Sequence, residues 1–379
     1  MRIGFFTDTF LPQRNGVVAS LLNSGRELVD RGHEVSVFCP KLNMKEISGM
    51  KVYSYPAVTF RPYPEFKIAV PSGRDKAPQL DIVHTHSPFT MGFFGWRVSR
   101  FQKVPRVSTF HTLLSEYVRY ITIFGKKILE KVTWRYCEIF YNRHQRIIVP
   151  SNALKEVLRS HHIKKPISII PNGIDTDFFK PTKKEKAREK LGLKKDEKIF
   201  LCLGRLSFEK NIDTILKAFE KVDGKLIIAG RGPFEKKLKK MKIRLGLGKK
   251  VSFVGYVPEK VKPLYYSAAD ALVIASTGET QALVVVEAMA CGCPVIGANS
   301  LAIPEVVKDG KNGYLFEPRA IEQLSEILNA YESSKKMISH ALKTSQGFSI
   351  DECTNKLEKF YEEVLVHAGN RNQLINKTF

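Results

Sequence analysis

The sequence predicts an α/β protein built from two doubly wound domains. Three observations carry this. The chain has 379 residues, 43% of them hydrophobic, which is more than a single small core absorbs. Short apolar runs of strand length alternate with longer amphipathic stretches, the rhythm of a parallel sheet covered by helices on both faces. That rhythm breaks at the basic stretch PTKKEKAREKLGL (181–193) and then restarts. The expected domains are 1–170 and 171–349, with residues 350–379 forming a C-terminal helix.

Residues 2–7 read as a buried strand. The loop DTFLPQRNG follows, and then VVASLLNSGRELVDRG, whose stripe of Val18, Leu21, Leu22, Leu28 and Val29 marks a helix closed by Gly32. HEVSVFCP, DIVHTHSP, PRVSTFHT and RIIVPSN continue as strands. Residues 181–193 read as a helical linker. Beyond it KIFLCLGRLS, KLIIAGRGP, VSFVGYVP, DALVIAS and CPVIGANS are strands, separated by NIDTILKAFEKV, FEKKLKKMKIRLG and ALVVVEAMACG. Ligands of such domains sit beyond the carboxyl ends of the strands, here in an expected interdomain cleft. IDECTNKLEKFYEEVLVHAG (350–369) is amphipathic. Its pattern leaves open whether it packs on the second domain or crosses back to the first.

The formal net charge is +23, which points to an anionic partner: nucleic acid, a phosphorylated ligand or an acidic membrane surface. The excess is spread along the chain. Residues 1–180 carry 27 Lys and Arg against 14 Asp and Glu, and the remainder 34 against 24. The six cysteines form no CxxC pair, and Cys291 and Cys293 flank a single glycine. They read as buried thiols of a reducing compartment. The N-terminus lacks the apolar core of a signal peptide, and no apolar run of about 20 residues marks a spanning helix.

Several stretches suit chemistry. NGVVAS (15–20) places Gly16 at a helix start, where backbone amides can face an anion; a tight turn explains the glycine equally well. GRLSFEKN (204–211) follows a strand with a glycine and two cations, Arg205 and Lys210, that suit a diphosphate; a solvated loop is the plainer reading. STGETQALVVVEAMACGCPVIG (276–297) places Glu279 in a polar loop and Glu287 among valines, where an unpaired carboxylate is costly. A solvated helix face or a carboxylate that receives ligand hydroxyls would account for Glu287. Among nine histidines, His111 stands at a strand end, and His84 and His86 alternate at another. No HExxH or zinc-like spacing appears, so no metal site is expected. From Arg119 to Arg146 seven Lys and Arg face two Asp and Glu, interleaved with aromatics. That pattern suits an interfacial helix on anionic lipid, a single-stranded nucleic-acid surface, or a helix packed on the sheet.

Together Glu279, Glu287 and the following AMACGCPVIG, with GRLSFEKN and IIPNGIDTDFF, resemble glycosyltransferase family 4. The resemblance spans nearly the whole chain. It implies the GT-B fold of two facing Rossmann-like domains and transfer with retention from a nucleotide diphosphate sugar, without a cofactor or metal. It implies that Glu279 touches the transferred sugar and Glu287 the ribose, that Arg205 and Lys210 hold the leaving diphosphate, that the Gly16 amide assists, and that His111 lies beside the donor sugar. The paired-glycine form of the first loop is absent; only Gly16 follows Asn15. Asp8 is expected near the acceptor hydroxyl.

A narrower resemblance, in FTDTFLPQRNGVV, TFHTLLSEYVRYI and the GETQ variant of the glutamate segment, is to membrane-surface lipid glucosyltransferases that act on diacylglycerol. It implies UDP-glucose as donor, 1,2-diacylglycerol as acceptor, and a peripheral position on the cytoplasmic face of the cell membrane. The first domain would then bind acceptor and membrane through Arg119, Lys126, Lys127, Lys131, Trp134 and Arg135, and the second the donor. The rival readings are a transferase using UDP-galactose or GDP-mannose with a glycan or phospholipid acceptor, and, outside enzymes, a nucleic-acid-binding protein, for which no binding module is visible, or an interaction protein.

Overall fold

The computed structural model describes residues 1–13, 15–59, 67–111 and 126–376. The chain divides into two compact units: Met1–Gly173 together with Ile350–Phe379, and Ile174–Ser349.

In the first unit the strands are β1 (Arg2–Phe6), β2 (Glu34–Pro40), β3 (Glu46–Ile47), β4 (Met50–Tyr55), β5 (Ala57–Thr59), β6 (Lys67–Ala69), β7 (Ile82–Thr85), β8 (Arg106–Thr109), β9 (Arg146–Val149) and β10 (Ile167–Ile169). β5 and β6 form a separate antiparallel ribbon; the others form one sheet in the order β10-β9-β8-β7-β1-β2-β4-β3. It is parallel apart from the β3–β4 edge. Successive side chains of a strand point to opposite faces. Ile3 and Phe5 accordingly enter one core and Phe6 the other, as do Val35, Val37 and Cys39 against Phe38. Both faces are covered, which is why these strands read as continuous apolar runs. The helix Ile350–Asn376 belongs to this unit. Its Leu357, Phe360, Tyr361 and Val364 join the core of the Ile3 face. Arg31 ties it down through Asp351 (2.6 Å) and Glu358 (3.0 Å), and His33 through Glu358 at 2.7 Å.

The second unit carries β11 (Ile199–Leu203), β12 (Lys225–Ala229), β13 (Val251–Gly255), β14 (Ala271–Ile274), β15 (Val295–Ala298) and β16 (Gly313–Phe316), all parallel, in the order β13-β12-β11-β14-β15-β16. Its two cores again follow the pleat: Ile199, Leu201, Leu272 and Ile274 on one face, Phe200, Cys202, Ala271 and Val273 on the other.

In each sheet the strand order reverses once, between β1 and β7 and between β11 and β14. At such a switch point the connections leave to opposite sides and open a crevice beyond the carboxyl ends. The loops after β1, β7, β11 and β14 are therefore the places to look for a site.

The basic stretch 181–193 is not a linker. Its helix Lys184–Lys190 is part of the second unit. Arg188 is 3% exposed and donates to the Ala268 carbonyl and, at 2.9 Å, to Asp270, which also holds Lys184 at 2.8 Å. Charge on the outer face hid the buried guanidinium. All six cysteines are buried and unpaired, and burial pushes their thiols upward, Cys39 to about 12. Among the described residues no helix is long and apolar enough to cross a membrane.

Candidate active site

At the second switch point the loop after β11 runs Gly204–Arg205–Leu206–Ser207 into a short 3-10 turn, Phe208–Lys210. The strand ends stand unusually close. A Cβ on Gly230, whose φ is +143°, would lie 1.8 Å from the Gly204 carbonyl oxygen, so only glycine fits there. Asn211, itself left-handed at φ 46°, ties the loop to the one after β14. Its amide donates to the Ala275 carbonyl (3.2 Å) and the Thr277 hydroxyl (3.1 Å), and the Thr277 amide donates to the Glu209 carbonyl.

This stitching brings two of the sequence-selected residues together. The Lys210 ammonium donates to Glu279 Oε1, with Lys210 26% and Glu279 13% exposed. Burial works against the ammonium, but the Glu279 carboxylate outweighs it and holds the Lys210 pKa above its ordinary value. Lys210 is therefore charged at any working pH. Arg205 is exposed on the same loop.

Glu287 lies in the helix Leu283–Ala290, which opens after Ala282 in the left-handed region (φ 61°). It is 8% exposed, so the solvated reading fails. Tyr266 donates to its Oε2 at 2.7 Å and Lys262 approaches the same oxygen at 3.4 Å. Burial raises the Glu287 pKa; Lys262 and Tyr266 pull it back in part. The sequence reading missed both partners, although KPLYY sets Lys262 and Tyr266 four apart, on one helical face.

At the first switch point Asp8 follows β1. Its expected contact with an acceptor hydroxyl is corrected by the structure. Asp8 is 1% exposed and both its oxygens are engaged: Oδ1 accepts from the Thr90 hydroxyl (2.8 Å) and the Met91 amide (3.0 Å), Oδ2 from the Ser87 hydroxyl (2.6 Å). It anchors the start of the helix Thr90–Gln102, where a carboxylate also meets the positive end of the helix dipole. Burial raises its pKa, partly offset by these donors. Asp8→Asn is expected to cost about 1–2 kcal/mol of stability, read as a lower urea midpoint at constant m. An unchanged midpoint would contradict the anchoring role.

Gly16 opens the helix Gly16–Asp30, capped by Asn15, whose side chain accepts from the Val17 and Val18 amides at 3.1 Å. The cap already uses those two donors, which leaves a narrower anion site than the sequence implied. Beyond β7 and β8, His86 Nδ1 and His111 Nε2 lie 3.0 Å apart. His84 is held by the Tyr361 hydroxyl (2.6 Å) and Thr109 (2.7 Å). A recess in this unit is lined by Ser20, Asn23, His84, His86, His111 and Asn172, among others. Burial holds the His111 pKa down at about 4.

Of the basic aromatic region, Arg119 lies outside the described residues. Lys126 begins the helix Lys126–Tyr141. Lys127, Lys131 and Arg135 are exposed, beside Ile128 (71%), Val132 (58%) and Ile139 (42%). Trp134 is a correction: it is 8% exposed, stacked on His161 at 3.6 Å and facing Phe110, so its indole is core rather than membrane surface. The helix thus packs through Trp134, Cys137 and Phe140 and still exposes an apolar, basic face. Among the described residues no group of three His, Cys, Asp or Glu is placed to hold a metal ion.

Residues 14–178 match the family Glycosyltransferase Family 4, and residues 183–345 match Glycosyl transferases group 1. The chain is 32% identical to the alpha-monoglucosyldiacylglycerol synthase of Streptococcus pneumoniae, over 99% of this chain and 88% of that protein. It is 31% identical to the protein of the same name from Acholeplasma laidlawii, over 83% and 85%. Among solved structures it resembles Anabaena HepE in complex with UDP, with a TM-score of 0.80 and 22% identity over 96% of this chain and 100% of that one. It also resembles the sucrose-phosphate synthase of Thermosynechococcus elongatus, with a TM-score of 0.79 and 21% identity over 97% and 99%.

Proposed function

Because the chain belongs to glycosyltransferase family 4 and has the GT-B fold, we propose that it moves a hexose, glucose from UDP-glucose foremost, onto the 3-hydroxyl of 1,2-diacylglycerol. The carrying observation is the charged Lys210–Glu279 pair at the switch point of the second unit, with Arg205 exposed on the same loop as Lys210 and the buried Glu287 on the neighbouring helix. The relatives named for monoglucosyldiacylglycerol synthesis support the acceptor, and the UDP complex of a structural neighbour supports the donor class.

In this reading Glu287 receives the ribose hydroxyls. Tyr266 and Lys262 both sit on its Oε2, so the carboxylate is held in place while accepting a ligand. Lys210 and Arg205 bind the diphosphate, and Glu279 orients the sugar. The family resemblance gives the Gly16 amide and the His111 imidazole supporting roles toward the donor. The acceptor oxygen forms a bond to C1 as the bond from C1 to the diphosphate oxygen breaks. The electron pair stays on the diphosphate, which also takes the acceptor proton, and the product keeps the anomeric configuration. The rate gain comes from cations fixed where the leaving group gains charge. No cofactor or metal is required.

The exposed face of Lys126–Tyr141 suits an anionic bilayer: Ile128, Val132 and Ile139 enter the headgroup region while Lys127, Lys131 and Arg135 meet the lipid phosphates. The enzyme would work peripherally, on the cytoplasmic leaflet.

UDP is expected to raise the melting temperature, with a stabilisation that grows as the logarithm of its concentration once that exceeds Kd. Glu287→Gln should keep the fold, since it removes a charge that burial disfavours, but weaken UDP about 10–100-fold through the lost charged hydrogen bonds. Titration calorimetry checks this; equal UDP affinity in the variant would sink the ribose role.

A further inference from the structure

We propose that the second unit carries its own contact for an anionic bilayer, the outer face of the helix Glu235–Arg244, in addition to the helix Lys126–Tyr141 of the first unit. Residues 235–250 hold eight Lys and Arg against one acid, Glu235, a balance of +7 out of the chain's +23. Charge that is spread thinly elsewhere is gathered here. The candidate site is built from other elements, the loops after β11 and β14 and the helix Leu283–Ala290.

The apolar face of this helix is already in use. Leu238 is buried in the core that holds Phe200, with Met241 and Leu245 packed against the same core. Their spacing of i, i+3 and i+7 is one helical stripe. The opposite face carries Lys236, Lys239, Lys240 and Ile243. All four are exposed, Ile243 by 77%. Ile243 stands three, four and seven positions after the three lysines, so they border it on the helix surface. An isoleucine that the core does not hold is thus set among ammonium groups.

Such a face does not help the helix to form. Lys236 with Lys239, Lys236 with Lys240, and Lys240 with Arg244 are like-charge pairs at i+3 and i+4, which weaken a helix. Glu235 offsets part of this through Lys239 at 2.6 Å. An opposing anionic surface offsets the rest. A bilayer containing anionic lipid offers phosphates to the cations and an apolar region to Ile243. A single-stranded nucleic acid would also meet the cations, but it binds by stacking on aromatic rings. The outer face of the helix has none, and the adjacent rings of Phe234 and Phe253 are covered by Lys237 (5.3 Å) and Lys239 (5.8 Å). The aliphatic centre of the patch therefore favours the bilayer.

This contact deepens the reading of a peripheral enzyme and rests on it for the presence of a bilayer; the binding itself needs neither donor nor acceptor. The test is sedimentation of the full chain with phosphatidylcholine vesicles, with and without a one-third share of phosphatidylglycerol, in the absence of nucleotide sugar and diacylglycerol. Lys236→Gln combined with Lys240→Gln is expected to weaken binding to the anionic vesicles about 10–30-fold, the scale of two cations near a charged surface. UDP affinity should be unchanged and the melting temperature no lower. Ile243→Trp should show emission shifted to the blue on anionic vesicles alone, read against the wild-type background of Trp96 and Trp134. Undiminished binding by the double variant, or an unshifted emission in Ile243→Trp, would overturn the proposal. Tighter binding of polyuridylate than of vesicles, lost in the double variant, would overturn it in favour of nucleic acid. Vesicle binding that falls in the double variant, while the wild type forms no lipid product, would support this contact and count against diacylglycerol as the acceptor.

Discussion

Lys210→Met is expected to lower turnover by about 10²–10³-fold, the usual effect of deleting one preorganised group that meets developing charge. The protein should remain folded. Methionine keeps most of the aliphatic stem but leaves the Glu279 carboxylate, 13% exposed, without its ammonium. That should cost about 1–2 kcal/mol of stability, less than for a fully buried pair because water still reaches both groups. Adding Glu279→Gln removes the stranded charge. The double variant should recover the lost stability and stay inactive, which separates the pair's structural share from its catalytic one. Thermal melts and initial rates on both variants check this. A Lys210→Met enzyme within threefold of wild type would remove the cation from the mechanism.

Acid should destabilise the first unit well before ordinary carboxylates titrate. Burial lowers the pKa of His84, His86, His111 and His144, His111 to about 4 and His144 to about 3. The unfolded chain takes up protons near pH 6.5; the folded one does so only well below. Between those values the unfolded state holds more protons, so stability is fully present above about pH 6.5 and is lost as pH falls toward 4. Each histidine adds a slope of about 1.4 kcal/mol per pH unit. Asp8 has the opposite sign, since burial raises its pKa, but it is one group against these four and His161, whose pKa burial also lowers. Urea midpoints from pH 7.5 to 4.5 should fall steeply. A flat profile would mean that the histidines are not buried as described.

Much of this was legible in the chain. Strands buried on both faces announce themselves as apolar runs, and a glycine or a polar loop after each run marks the carboxyl ends. Arg205, Lys210 and Glu279 stand in such loops, and the structure brings Lys210 onto Glu279. What escaped depends on which way a side chain turns. Asp8 stands in a loop at the same kind of edge, yet points inward to anchor the helix Thr90–Gln102. Trp134 sits among cations in sequence, but a helix has two faces and the indole took the inner one. Arg188 is one of many charges in a basic run; its burial is explained by the later Asp270 together with the Ala268 carbonyl. The short strands β3 to β6 were invisible, since runs of two to six residues broken by Lys, Glu and Pro carry too little period to read.

The deciding measurement is transfer from labelled UDP-glucose to diacylglycerol in mixed micelles with and without anionic lipid, with UDP-galactose and GDP-mannose run beside it. The expected result is a monohexosyl diacylglycerol formed from UDP-glucose foremost, faster on anionic micelles, and absent with Lys210→Ala and Glu279→Gln. No lipid product from any donor, in folded enzyme that binds UDP, would contradict diacylglycerol as the acceptor.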